Sequence, residues 1–112
     1  MSLLHYYMDI RPEWLGLTKQ QFDILMIIYD LKINNIPIKA GNVLAEYKNR
    51  FGKELQRQNF FNQLKILLDL GIVEKREKAT YGLNKEKIKS ILDEKKKELN
   101  SELVTFDKFS NF

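Results

Sequence analysis

The chain has 112 residues, of which 44% are hydrophobic and 30% charged, and its formal net charge is +4. This composition is that of one soluble globular domain and excludes a collagen-like or disordered chain. Cysteine is absent and His5 is the single histidine, which excludes disulfides, thiolate zinc sites and histidine-rich metal sites. No apolar run approaches the roughly 18 residues of a membrane span. The first residues lack a signal-peptide pattern, so we expect a cytoplasmic protein without membrane contact.

The positive charge is concentrated in the middle of the chain. Residues 39–78 hold nine basic and five acidic side chains, whereas residues 1–38 have a net charge of −1. Such a local excess favours a polyanionic partner, because lysine and arginine neutralise phosphates and release counterions. It is equally ordinary for a solvated surface, so charge leaves both interpretations open.

The first predicted element is a helix from residue 19 to about 33, which Thr18 and Gln21 introduce with the capping-box pattern. Its apolar side chains recur at helical spacing and predict a core helix. They are Phe22, Leu25, Met26, Ile28, Tyr29 and Ile33. Residues 36–38 then predict a short edge strand paired with a later hairpin, because Pro37 cannot donate to a sheet ladder.

A second helix is predicted over residues 40–51, with Gly52 as its stop. Only residues 53–55 precede the third helical pattern, at about 56–70, so these two helices must turn sharply against each other. One face of the third helix is apolar, and it comprises Phe60, Phe61, Leu64, Leu67 and Leu68. The opposite face carries the carboxamides Gln58, Asn59, Asn62 and Gln63, with Ile66 and Leu70 outward beside them.

Gly71 predicts a left-handed end to the third helix. Two short strands follow, at residues 73–77 and 80–83, around a turn near Lys78 and Ala79. Asn84 is a favourable N-cap for a final helix from residue 85 to about 100. These patterns predict a helical domain that contains one hairpin.

Both ends of the chain are rich in apolar residues, which proteins seldom leave in water. They either cover the core of one protomer or bury one another across a dimer, and we expect a homodimer. The predicted dimer contacts are Tyr6, Tyr7, Trp14, Ile88, Ile91, Leu92, Leu99 and Phe106.

The sequence NFFNQLKILLDLGIVEK, followed by YGLNKE, resembles the recognition helix and wing of archaeal and bacterial winged-helix transcription regulators of the MarR and PadR type. The matching positions are Phe60, Leu64, Leu67, Gly71, Ile72, Val73, Tyr81, Leu83 and Asn84. The resemblance implies a mainly α fold with a three-helix core, a two- to three-stranded wing and an extra C-terminal helix. It divides the chain into an N-terminal extension (1–16), a winged-helix DNA-binding domain (17–84) and a C-terminal helix with an aromatic tail (85–112). Gln56 departs from the pattern, since such a helix usually begins on Ser or Thr.

The resemblance also implies sequence-specific binding to double-stranded DNA, with helix 56–70 in the major groove and wing 73–83 on the backbone. The base-reading residues would be Gln58, Asn59, Asn62 and Gln63, and carboxamides suit adenine, which predicts an A·T-rich site. The phosphate contacts would be Lys48, Arg50, Lys53, Arg57, Lys65, Lys75, Arg76 and Lys78. The alternative for the carboxamides is a solvated helix face.

Two other functions would use the same module. Ile66, Leu70 and the aromatic termini suit a winged-helix adaptor that binds protein, and an accessory replication or viral protein would also bind DNA. The sequence contains no catalytic motif, since it has no phosphate-binding loop, no nucleophile motif and no residues at metal-ligand spacing. We therefore expect a transcription regulator that is not an enzyme and carries no cofactor or metal.

Overall fold

A computed structural model describes residues 11–110 of the protein, and the side chains of residues 11–98. The elements over this range are two 3₁₀ turns, four helices and one two-stranded antiparallel sheet. In chain order they are the 3₁₀ turn Pro12–Leu15, α1 Lys19–Ile33, α2 Ala40–Phe51, α3 Arg57–Asp69, β1 Val73–Lys75, the 3₁₀ turn Glu77–Ala79, β2 Tyr81–Leu83 and α4 Lys85–Ser110. The prediction of a mainly helical domain with a small hairpin and a further C-terminal helix is confirmed.

Helix α1 lies at the centre and packs against α2, α3 and β2. Its predicted capping box is present: the Thr18 N–H donates to Gln21 Oε1 at 2.9 Å, and the Gln21 N–H donates to Thr18 Oγ1 at 3.3 Å. Because neighbours surround the helix, Ile24 and Ile27 are fully buried in addition to much of the predicted face. Ile33 is predicted to lie in the core, but its side chain is 50% exposed, because α1 ends there.

The side chains that hold α3 against α1 are Phe60, Leu64 and Leu67, each at most 1% exposed. Burying an apolar side chain of this size contributes about 1.5–3 kcal/mol before entropy is subtracted. Leu68 is half-buried, whereas Phe61, predicted for the same face, is 37% exposed. Phe61 follows Phe60 directly, and a step of one residue rotates a side chain by about 100 degrees away from the buried stripe.

Helix α3 ends at Gly71 as predicted, with φ of 76°. The Gly71 N–H donates to the Leu68 carbonyl at 3.0 Å and the Ile72 N–H donates to the Leu67 carbonyl at 3.1 Å. This pair of hydrogen bonds is a Schellman motif, and Ile72 beyond it is fully buried. The motif fixes the direction in which the chain enters the hairpin.

The hairpin pairs Val73 with Leu83 and Lys75 with Tyr81. Its strands are shorter than predicted, because the chain closes into a loop over residues 76–80. Within this loop, Lys78 and Ala79 both have φ of 56°, the left-handed pair that a type I′ turn requires. The predicted turn position is therefore confirmed, and the predicted strand lengths are wrong.

Segment 36–38 is not the predicted edge strand. It gives the hairpin one backbone hydrogen bond, in which the Tyr81 N–H donates to the Ile38 carbonyl at 2.9 Å. Pro37 has no N–H, and its carbonyl accepts from the Lys39 N–H at 3.0 Å, which turns the chain into α2. The sheet accordingly has two strands in the described part of the chain.

Helix α4 begins at the predicted N-cap, where the Asn84 Oδ1 accepts from the Lys87 N–H at 3.1 Å. It continues to Ser110, beyond its predicted end near residue 100. Residues 101–110 contain no glycine or proline that would stop a helix. None of the helices over the described residues combines the length and apolar character that crossing a membrane requires.

Candidate nucleic-acid interface

The solvent-facing side of α3 presents two of the four predicted base-reading residues, Gln58 and Asn62. Both are exposed, and the Gln58 Nε2 donates to Asn62 Oδ1 at 3.3 Å. They stand one helical turn apart on the same row, so they form a continuous polar strip. The neighbouring Ile66 and Leu70 are 40% and 37% exposed, as the sequence predicts.

The other two carboxamides, Asn59 and Gln63, are half-buried and hydrogen-bonded towards α1. The Gln63 Oε1 accepts from the Gln21 Nε2 at 2.8 Å, and the Gln63 Nε2 donates to Asn59 Oδ1 at 3.1 Å. Asn59 in turn donates from Nδ2 to Gln20 Oε1 at 3.4 Å. The structure therefore separates the four predicted base readers into a solvent-facing pair and a pair tied to the core.

Four of the predicted phosphate-binding lysines are exposed and form no salt bridge with any other residue in the range 11–98. They are Lys53, Lys65, Lys75 and Lys78. Lys53 precedes α3, Lys65 is on α3, and Lys75 and Lys78 belong to the hairpin. These four ammonium groups are therefore not held in an ion pair with a described carboxylate.

The other predicted cations already have partners. Lys48 pairs with Glu54 at 3.1 Å, Arg76 pairs with Glu74 at 3.1 Å, and the Arg57 guanidinium lies 5.4 Å from the centroid of the Phe61 ring. Exposed ion pairs contribute at most about 1 kcal/mol, so a phosphate can displace these partners at small cost.

Arg50 differs, because its guanidinium links α2 to α1. It pairs with Asp30 of α1 and, at 3.1 Å, with Glu46 of its own helix. Burial lowers the pKa of Arg50, but the hydrogen bonds and charges of both carboxylates outweigh it and raise that pKa overall. The predicted phosphate role is thereby weakened, since Arg50 is held within the fold.

An open groove of about 690 Å³ lies where the chain passes from α2 to α3. Its lining includes Leu44, Lys48, Leu55 and Arg57. Gln56 gives α3 no side-chain cap, so the first N–H groups of α3 are without that acceptor. The uncapped, positively polarised end of α3 thus lies in a groove that also contains Arg57 and the Lys48–Glu54 ion pair.

A second group of cations, which sequence reasoning did not connect, lies where α1, the hairpin and α4 meet. Burial lowers the pKa of Lys32, and the nearby charges of Lys85 and Arg76 lower it further. Arg76 lies over Gly82, where an added Cβ would collide with the guanidinium. No local signal joins Lys32 to Lys85; the contact of α1 with β2 brings them together.

The predicted dimer contacts have two different outcomes. Ile88 and Leu92 are only 2% and 6% exposed within the single chain, where α4 packs on the 3₁₀ turn Pro12–Leu15, so neither offers a surface to a partner. Trp14 and Ile91 are partly buried against the same core. The remaining predicted contacts lie outside the described side chains: Tyr6, Tyr7, Leu99 and Phe106.

Within the described residues, no group of three or more His, Asp or Glu side chains is placed to hold a metal ion. Comparison of the chain with protein-family models, with curated proteins and with solved structures gives no match.

Proposed function

We propose that this chain is a winged-helix protein that binds double-stranded DNA sequence-specifically, as a small, cytoplasmic and dimeric transcription regulator. The observation that carries the proposal is the exposed carboxamide strip on α3. This helix follows α2 after the short connection 52–56 and comes directly before the hairpin. In a winged helix those three elements are the helix-turn-helix and its wing.

The anchoring of α3 supports a role as recognition helix. Phe60, Leu64 and Leu67 hold its inner side in the core, while Gln58 and Asn62 remain in solvent near its start. A recognition helix enters the major groove with its N-terminal residues against base edges. Glutamine and asparagine make paired hydrogen bonds to adenine, so we propose an A·T-rich site.

The positions of the cationic side chains support contact with the DNA phosphate backbone at two places. Lys53 lies in the connection before α3 and Arg57 is the first residue of α3, where the uncapped helix end also favours a phosphate. Lys75 and Lys78 lie on the hairpin, and Lys78 is at its tip. Phosphate contacts at both places would fix the register in which the α3 strip meets the bases.

The proposed dimer depends on the C-terminal half of α4. Leu92, Leu99 and Phe106 recur at intervals of seven in the sequence, as in helices that pair along one seam. With Leu92 buried in the protomer, the seam would begin at Leu99. A two-fold dimer would select inverted half-sites, about 34–36 Å or a multiple of that apart.

The test is the salt dependence of binding to A·T-rich duplex DNA. The logarithm of the binding constant should fall linearly with the logarithm of salt concentration, with a slope of about −0.9 for each phosphate contacted. Six contacts would give a slope near −5 by that rule. A flat response, or no binding at low salt, would remove the proposed function.

A protein-binding adaptor is the second candidate, and the exposure of Ile66 and Leu70 favours it. These side chains stand one turn apart on α3, beside the carboxamide strip. If the chain binds a protein stoichiometrically, binds no DNA, and loses that partner when Ile66 is changed to Lys, the adaptor function replaces DNA binding.

A further inference from the structure

A directed chain of side-chain hydrogen bonds connects the start of α1 with α3. It begins at the Thr18 N–H, which donates to Gln21 Oε1, and passes from the Gln21 Nε2 to Gln63 Oε1. The Gln63 Nε2 then donates to Asn59 Oδ1, and the Asn59 Nδ2 donates to Gln20 Oε1. Gln21 is 6% exposed, which makes it the one polar side chain buried in the described core.

The direction of this chain is set at its first member. A backbone N–H can only donate, so the atom of Gln21 that faces Thr18 must be the oxygen. The Gln21 nitrogen must then face Gln63, which in turn has to present its oxygen. Gln63 must then direct its nitrogen towards Asn59, which fixes the direction of the Asn59 carboxamide. Asn59 lies 41 residues after Thr18 in the sequence.

We propose that Gln21 is a positioning residue that sets, through Gln63, which way the Asn59 carboxamide presents its donor and acceptor to the bases in the major groove. This inference rests on the DNA-binding function proposed above. Asn59 retains one N–H and one acceptor site beyond the two used in the chain. Adenine offers N7 as acceptor and N6 as donor in a fixed order, so reversing the carboxamide changes the base edge it fits.

Gln21 does not orient Gln58 or Asn62. Their hydrogen bond joins the two of them, and neither is bonded to α1 in the described structure. They can turn to suit a bound base, whereas Asn59 is held. The α3 surface thus combines adaptable carboxamides with one whose polarity is fixed from the neighbouring helix.

The variant Gln21→Glu tests this device with almost no change in shape. A carboxylate still accepts from the Thr18 N–H, but it has no N–H to donate to Gln63. Gln63 must therefore reverse and donate to the carboxylate, after which Asn59 and then Gln20 must reverse. The capping box survives, because glutamate serves at this position as well as glutamine.

The matched control is Gln20→Glu, which adds the same charge to the same helix. Gln20 is the last member of the chain and only accepts from Asn59. A carboxylate there continues to accept, so the carboxamides upstream keep their direction. The two variants thus carry the same added charge on the same helix, and only Gln21→Glu removes a donor that the hydrogen-bond chain uses.

The measurement is selection of bound sequences from random duplexes, at a pH alkaline enough to ionise the carboxylates. With Gln21→Glu, the preference at one base pair per half-site should change by roughly ten- to hundredfold, the range of one paired contact. The other positions and the salt slope should stay as in the unaltered protein. Gln20→Glu should retain the original preference at every position.

An unchanged preference with Gln21→Glu, or the same change with Gln20→Glu, overturns the inference while DNA binding stands. Absence of DNA binding by the unaltered protein overturns the proposed function and the inference together. If Gln21→Glu does not fold, Gln63→Glu replaces it. That variant still accepts from Gln21 and keeps the buried residue intact. It forces Asn59, and after it Gln20, to reverse, so the change at the Asn59 position should persist.

Discussion

Helix α3 and the hairpin loop 76–80 are the two regions that would meet DNA, and different forces hold them. The helix buries three large side chains and ends on Gly71, which adopts the left-handed conformation without a steric penalty. The loop buries none of its residues 77–79 and places Lys78 and Ala79 in that same conformation. For residues with a Cβ this costs roughly 1–2 kcal/mol each.

The difference matches the task proposed for each region. Base reading needs side chains held to within a fraction of an ångström, and a packed helix provides that precision. Phosphate contact tolerates displacement, because it is governed by charge over several ångströms. We infer that α3 carries the sequence preference and the loop carries affinity, and three experiments can break or sharpen that division.

The largest effect is expected from Leu64→Ala on α3. Leu64 is 1% exposed, and removing such a side chain costs about 2–5 kcal/mol through lost transfer energy and the cavity left behind. Urea unfolding measures the loss. Ile66→Ala, on the 40% exposed side of the same helix, is the control and should cost less than about 1 kcal/mol. Equal losses would mean that α3 is not anchored as described.

Effects of intermediate size are expected from two variants that separate base-pair preference from overall affinity for DNA. Asn62→Ala should relax the preference at one base pair by about 1–3 kcal/mol, the discrimination of a paired contact. Lys78→Ala should weaken binding to all DNA sequences alike and make the salt slope of binding shallower by about 0.9. Titrations of matched and mismatched duplexes at several salt concentrations measure both. A uniform loss with Asn62→Ala would contradict the division of roles.

The smallest effects are expected from substitutions at two residues with left-handed backbone conformation, Gly71 and Ala79. The two substitutions should change the free energy of unfolding in opposite directions. Gly71→Ala should lower the free energy of unfolding by about 1–2 kcal/mol, although its Cβ would meet nothing closer than Lys87 Cγ at 3.7 Å. Ala79→Gly should raise it by up to about 1 kcal/mol, since glycine relieves the left-handed strain while losing more chain entropy.

The control for Ala79→Gly is Ala45→Gly, the same chemical change at an exposed position inside α2. There the backbone is helical, so glycine should lower the free energy of unfolding by about 0.5–1 kcal/mol. Thermal or urea unfolding of the three variants measures the signs. A loss at Ala79 equal to that at Ala45 would show that the loop is not strained.

Sequence reasoning succeeded where the signal is local. The capping box at Thr18 and Gln21, the end of α3 at Gly71 and the N-cap Asn84 all depend on residues within five positions of one another. It failed where packing decides. Periodicity assigned Phe61 to the buried stripe, and the contact with α1 exposes it.

The candidate site shows the same boundary. The four carboxamides were identified as a set because they share one side of a helical pattern. Their division into a free pair and a tied pair depends on Gln21, which lies 42 positions from Gln63. The grouping of Lys32 with Lys85 likewise depends on how α1 meets the hairpin and α4.

By itself, the sequence determined the order of helices and hairpin, their caps and the charge of the middle segment, because propensity, capping and periodicity act over a few residues. Only the tertiary structure decided which polar side chains remain free. A buried donor or acceptor must find a partner or cost about 1–3 kcal/mol, and that partner is supplied by whichever element packs alongside. For Asn59 and Gln63 that element is α1, whose Gln20 and Gln21 hold two carboxamides that the helical pattern alone places on a free face.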